Sequence, residues 1–153
     1  LKRAIIILSL AFASLITPAW ADDQSDITAS MKAVWDKPDN PLTVKPVIIA
    51  DDFAIAGWLQ GEKGGRALLK KGPHGWQTQL CAGEITSHLL QQAGVPTATA
   101  KQLLVQQSAA EKKLSKTDVA QLSSFVGVVK MNEGKGHHHG HEQHHPASTT
   151  QHH

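Results

Sequence analysis

The stretch FAIAGWLQGEKGGRALLKKGPHGWQTQLC, residues 53–81, decides the fold. Phe53, Ile55 and Leu59 alternate with Ala54, Ala56 and Trp58. That period of two puts successive side chains on opposite faces of a strand. Gly61 to Gly65 holds three glycines around a charged pair and reads as a hairpin loop. Arg66 to Lys71 is then a strand, Gly72-Pro73-His74-Gly75 a turn, and Trp76 to Cys81 a further strand. Upstream, Val47-Ile48-Ile49 reads as a buried strand, joined to Phe53 by a turn at Asp51-Asp52. Four consecutive strands with short connections, from Val44 to Cys81, make an antiparallel meander.

On either side the period becomes helical. Asp26 to Trp35 carries Ile27, Met31 and Val34 or Trp35 at spacings of three and four, and Pro38, Asn40 and Pro41 stop it. After Cys81, Ile85, Leu89 and Ala93 share one helical face, closed by Gly94 and Pro96. Thr97 is placed to cap a second helix carrying Leu103, Leu104 and Val105. Ser115, with Asp118 three residues on, opens a third through a pair resembling a capping box. Its apolar face is Val119, Leu122 and Val126, with Phe125 beside it. Val128-Val129 reads equally as the end of that helix or as an edge strand. The expected class is α+β: a four-stranded meander with an N-terminal helix, and C-terminal helices packed on one face.

The two ends of the chain read differently. Lys2 and Arg3 precede an apolar run from Ala4 to Ile16, followed by Ala19-Trp20-Ala21. A positive region, a short apolar core and a small-x-small site make residues 1–21 a secretory signal peptide. The run is too short for the ~20 residues that span a bilayer. The expected mature chain is soluble, starts at Asp22 and works in the periplasm. Residues 22–131 form the single folded domain. Asn132 to His153 contains no Val, Ile, Leu, Met, Phe or Trp, so a tail over residues 132–153 is expected to be disordered without a ligand.

Composition narrows the function. Without Lys2 and Arg3 the 15 basic residues fall to 13, equal to the 13 acidic ones, so there is no basic footprint for nucleic acid. One cysteine excludes a disulfide framework. Of ten histidines, eight lie in the tail: His137, His138, His139, His141, His144, His145, His152 and His153. Neutral imidazole suits Cu(II), Ni(II) and Zn(II), whereas Ca²⁺ and Mg²⁺ want oxygen ligands. The run is interrupted by Gly140, Glu142-Gln143 and residues 146–151, unlike a continuous purification tag. An amino-terminal copper site is excluded, because Asp22-Asp23-Gln24 lacks a histidine in third place.

Cys81 has two readings. Strand parity places it with Gln77 and Gln79, opposite Trp76, Thr78 and Leu80. The plainer reading is a buried core thiol. The sharper one is a soft ligand for Cu(I), helped by Met31, Met131 or His88. A nucleophile is disfavoured, since nothing is evidently placed to orient His88 as its base. His74 reads as a turn residue, and Trp58 and Trp76 as core or as walls of a cleft. The glycines of Gly61-Glu62-Lys63-Gly64-Gly65-Arg66 match neither phosphate-binding spacing.

The runs Ala54-Ile55-Ala56-Gly57-Trp58-x-Gln60-Gly61-Glu62-x-Gly64-Gly65-Arg66-Ala67-Leu68-Leu69 and Gly75-Trp76-x-x-x-Leu80-Cys81-x-Gly83 are followed by Gln92-Ala93-Gly94-Val95-Pro96. Together they resemble bacterial periplasmic proteins described as copper-uptake-system-associated, over about Val47 to Met131. The resemblance implies a role beside an inner-membrane copper importer and no catalytic residue. It marks Trp58, Glu62, Arg66 and Cys81 as candidates for function. The expected function is copper capture or buffering. The alternatives are a small-ligand-binding or enzymatic α+β domain with the tail as a metal store, and a nickel or zinc protein.

Overall fold

The computed structural model describes residues 19–131, and their side chains from Ala21 onward. Most of the expected signal peptide and the whole histidine tail lie outside the described residues. The element order is α1 (Ala19–Trp35), β1 (Thr43–Ala50), β2 (Phe53–Gln60), β3 (Lys63–Gly72), β4 (Gly75–Ala82), α2 (Ser87–Gln92), α3 (Thr97–Glu111), α4 (Lys116–Leu122) and β5 (Val128–Lys130). The strands form one antiparallel sheet in the order β1-β2-β3-β4-β5. The expected α+β meander is present, and the open reading of Val128-Val129 resolves as an edge strand on β4.

Both halves of the β2 alternation are apolar, so both faces of the sheet need cover. Ile48, Phe53, Ile55, Leu68 and Leu80 point to one face, where Leu90 of α2 and Leu103 of α3 close over them. Ala54, Ala56, Ala67, Leu69, Trp76 and Cys81 point to the other, against Ile27 and Met31 of α1. The C-terminal helices thus take one face as expected, and α1 takes the second. Leu68, Leu90, Leu103 and Leu122 are fully buried. Burial of each such side chain stabilises the fold by roughly 1.5–3 kcal/mol.

Several local expectations are corrected. α1 begins at Ala19 rather than Asp26, on the expected cleavage site itself. Only Gly61 and Glu62 form the hairpin turn, Gly61 at φ 60°. Gly64 and Gly65 are buried residues of β3 instead. A Cβ on Gly64 would stand 2.6 Å from the Gln121 carbonyl oxygen, and one on Gly65 2.9 Å from the Trp58 ring. These glycines admit neighbours, a role that a turn-seeking reading of glycine overlooks. Thr97 does not cap α3. Pro96 holds the cap position with no side-chain hydrogen bond, and Thr97 is already helical. Thr86 and Ser115 do cap, accepting from the Leu89 and Asp118 amides at 3.1 and 3.0 Å. α4 ends at Leu122, so Phe125 and Val126 lie beyond it, and Val126 is 91% exposed.

The parity assigned to Cys81 is also wrong. Leu68 pairs with Leu80 and Leu69 with Thr78, which leaves Gln79 as an extra residue in β4. Such a bulge reverses the facing of everything beyond it. Cys81 therefore shares a face with Trp76 and opposes Leu80.

Candidate functional site

That reversal aims Cys81 beneath α1. One helix does not fill this face to its end, and a hollow of about 240 Å³ remains. Its walls include Met31 and Trp35 from α1, Trp58 from β2, Cys81 from β4, Phe125 from the loop after α4, and Met131 beyond β5. The chain has one cysteine and two methionines. All three sulfur-bearing side chains therefore meet at this hollow. Met31 is 1% exposed and Cys81 7%.

The bulge residue positions two of the three. It turns Cys81 to this face, and its own carbonyl accepts from the Met131 amide at 2.8 Å. Gln60 holds the far rim: its amide donates to the carbonyls of Trp35 and Asn40 at 2.7 and 2.8 Å. Trp76 fixes the start of α1, since Nε1 donates to Asp23 Oδ1 at 3.0 Å. Lys71 Nζ meets the same oxygen at 2.7 Å. The Lys71 and Trp76 hydrogen bonds hold the Asp23 carboxyl below its ordinary range.

Burial pushes the Cys81 thiol up to about 11, and the Trp58 indole N–H beside it opposes the rise. Nε1 of Trp58 is nonetheless buried without a hydrogen bond of regular geometry. A thiol in this state is protonated and unreactive at neutral pH, which fits neither a nucleophile nor a redox pair. The rings of Trp58 and Phe125 stand edge to face, 5.8 Å between centroids. The hollow offers soft, uncharged donors and aromatic walls, and among the described residues no carboxylate or imidazole lines it. Among the described residues no group of three or more His, Cys, Asp or Glu is placed to hold a metal.

The other sequence candidates fall elsewhere. Arg66 is 5% exposed on the opposite face. Its Nε and Nη2 donate to the two oxygens of Glu111 at 2.7 and 2.9 Å, a fork-to-fork pair. Nη1 donates to the Gly83 carbonyl, and to Ser123 Oγ at 3.2 Å. Burial raises Glu111, but hydrogen bonds from Arg66 and Gln107 outweigh it and leave the carboxyl below its ordinary value. Arg66 thus fastens β3 to α3 and to the loop after α4. A larger hollow of about 1110 Å³ opens beside this pair, but its central charges already satisfy each other. Glu62 is exposed in its turn and lines neither hollow. His88 is exposed on α2, across the sheet from Cys81, and His74 is exposed in the β3–β4 turn. The tail histidines lie outside the described residues.

Of the resemblance candidates, then, Trp58 and Cys81 come together, while Arg66 and Glu62 do not join them. Sequence reasoning named Met31 and Met131 as helpers of Cys81 but missed Trp35 and Phe125. The signal for Phe125 was hidden by its assignment to a helix that ends three residues earlier. No helix among the described residues is long and apolar enough to cross a membrane. Comparison with family models, curated proteins and solved structures finds no match to this chain.

Proposed function

We propose that this chain is a copper-binding protein of the periplasm, which captures or buffers the ion for an associated inner-membrane importer. The observation that carries the reading is the convergence of Cys81, Met31 and Met131 on one hollow. Thiol and thioether are the ligands that favour copper in its soft, monovalent form. Three sequence features support it. The tail carries His137, His138, His139, His141, His144, His145, His152 and His153, which suit Cu(II). Residues 1–21 have the order of a secretory leader. The residues from Val47 to Met131 resemble the copper-uptake-associated proteins.

In this mechanism the tail collects copper through several weak sites. An ion that leaves one ring meets another before it diffuses away. Nickel or zinc would occupy the same imidazoles, but neither gains from thioether donors as copper does.

The test is competitive loading. The chain from Asp22 to His153, exposed to equal Cu(II), Ni(II) and Zn(II) at pH 7.5 and desalted, is expected to retain mainly copper. Calorimetry should show strong Cu(II) binding at pH 7.5 that is mostly gone by about pH 5, because protons compete for imidazole near 6.5. Retention of nickel or zinc in place of copper, or of no metal, overturns the reading.

A further inference from the structure

We propose that the hollow beneath α1 is a dedicated site for a monovalent soft cation, Cu(I) or its analogue Ag(I), held by Cys81, Met31 and Met131 and walled by Trp58. This deepens the copper reading above and rests on it, but it concerns a site separate from the tail.

The argument starts from charge. The hollow is apolar, with Gln60 and the indole N–H of Trp58 among its few polar groups. When a sulfur–metal bond forms, the Cys81 proton leaves to bulk water and the sulfur carries one negative charge. A monovalent ion then makes the buried unit neutral, since thioethers add none. A divalent ion would leave one uncompensated positive charge in apolar surroundings, which is costly. Among the described residues no carboxylate lines the hollow to balance it. The donor set thus discriminates by charge against Zn(II), Ni(II) and Cu(II) together, and by softness chiefly against Ni(II) and Cu(II). The ion enters as Cu(I), so no electron is transferred on binding.

Geometry agrees. The donors come from three separate elements: α1, β4 and the residue following β5. Three donors on one small hollow suit the low coordination numbers of a soft monovalent ion. Trp58 supplies an aromatic wall, and a cation near an indole face is attracted by the ring quadrupole. Among the described residues its Nε1 makes no hydrogen bond of regular geometry, and it stands beside the sulfur. A thiolate there is a stronger acceptor for that N–H than a thiol, so metal loading strengthens the contact.

The experiment uses the whole chain from Asp22 to His153 with ¹³C-methyl methionine, since its two methionines report on the hollow and not on the tail. One equivalent of Ag(I), or of Cu(I) supplied anaerobically as its acetonitrile complex, is expected to shift both methyl resonances together and to quench tryptophan emission. Excess Zn(II) is expected to move neither. Met31→Leu and Met131→Leu, close in volume, should keep the fold and weaken Ag(I) binding by at least about tenfold each. Cys81→Ala should weaken it by at least about 100-fold. Still methyl resonances with shifting histidine signals would overturn the sulfur site and leave copper capture resting on the tail histidines alone. If neither set moves with Ag(I), Cu(I) or Cu(II), both proposals fall. Shifts produced equally by Zn(II) would overturn the charge argument.

Discussion

The two faces of the sheet are made from the same strands and end in opposite conditions. Under α2, α3 and α4 a buried ion pair is fastened across elements: Arg66 to Glu111, Gly83 and Ser123, with Gln107 Nε2 donating to Glu111 and Gln107 Oε1 left without a partner among the described residues. Under α1 space remains, an indole N–H lacks a partner, and the chain's sulfur is concentrated. The first face is closed by charge, with a hollow of about 1110 Å³ beside the pair, and the second is incomplete where its smaller hollow gathers the sulfur. Interior packing is normally dense, so the hollow under α1, bordered by Met31, Cys81 and Met131, is the feature that sets this face apart.

The largest expected effect belongs to the closed face. Arg66→Ala removes one partner of a pair whose side chains are only 6% and 14% exposed. Stranding Glu111 should cost roughly 3 kcal/mol, the low end of the range for buried pairs, because Glu111 keeps some water. That lowers the melting temperature by more than about 10 °C in a domain of this size. Calorimetry on the variant measures it. A variant of unchanged stability would show that the pair is ornamental and that the contrast between the faces is false.

Acid probes the same pair from the other partner. The folded-state pKa of Glu111 lies below its ordinary value of 4.5, so the unfolded chain takes up this proton first. The contribution to stability is whole above about 4.5 and is lost as pH falls through the depressed folded value. Urea melts from pH 6 to pH 3 should show the loss, and Glu111→Gln should flatten part of it. Stability that rose on acidification would reverse the assigned sign.

The smallest effect is expected from the incomplete face. In Cys81→Ser the hydroxyl borders a hollow and can accept from Trp58 Nε1, so the cost should be about 1 kcal/mol or less. Ag(I) binding should nonetheless fall sharply. A loss of several kcal/mol would sharpen the comparison differently, by making Cys81 a packing residue and returning the hollow to the core.

The meander was legible because short apolar runs, Val47-Ile48-Ile49 and Phe53 to Leu59, lie between turn residues, the pattern that burial on both faces of a sheet writes. Ser115 was legible for a similar local reason, since a cap is a contact across three residues. The site was less so. Its donors come from α1, β4 and the residue after β5, and only the sheet brings them together. Cys81 was assigned to the wrong side because parity assumes an unbroken strand, and a bulge leaves no compositional mark at Gln79. Phe125 was counted as helical because its spacing from Leu122 fits a turn that the chain does not complete. The glycines at 64 and 65 were read as punctuation, since close approach by a distant carbonyl or ring is invisible in one dimension.

Gln79 works like an inserted letter in a two-letter alphabet. Every residue of β4 after it is addressed to the side it would otherwise not reach. Were Gln79 held in the ladder like its neighbours, the same sequence would deliver Leu80 to the hollow and send Cys81 beneath α2 and α3, with hydrocarbon and sulfur exchanged. The chemistry of this face is therefore held as much in the pairing of β3 with β4 as in the identities of its residues.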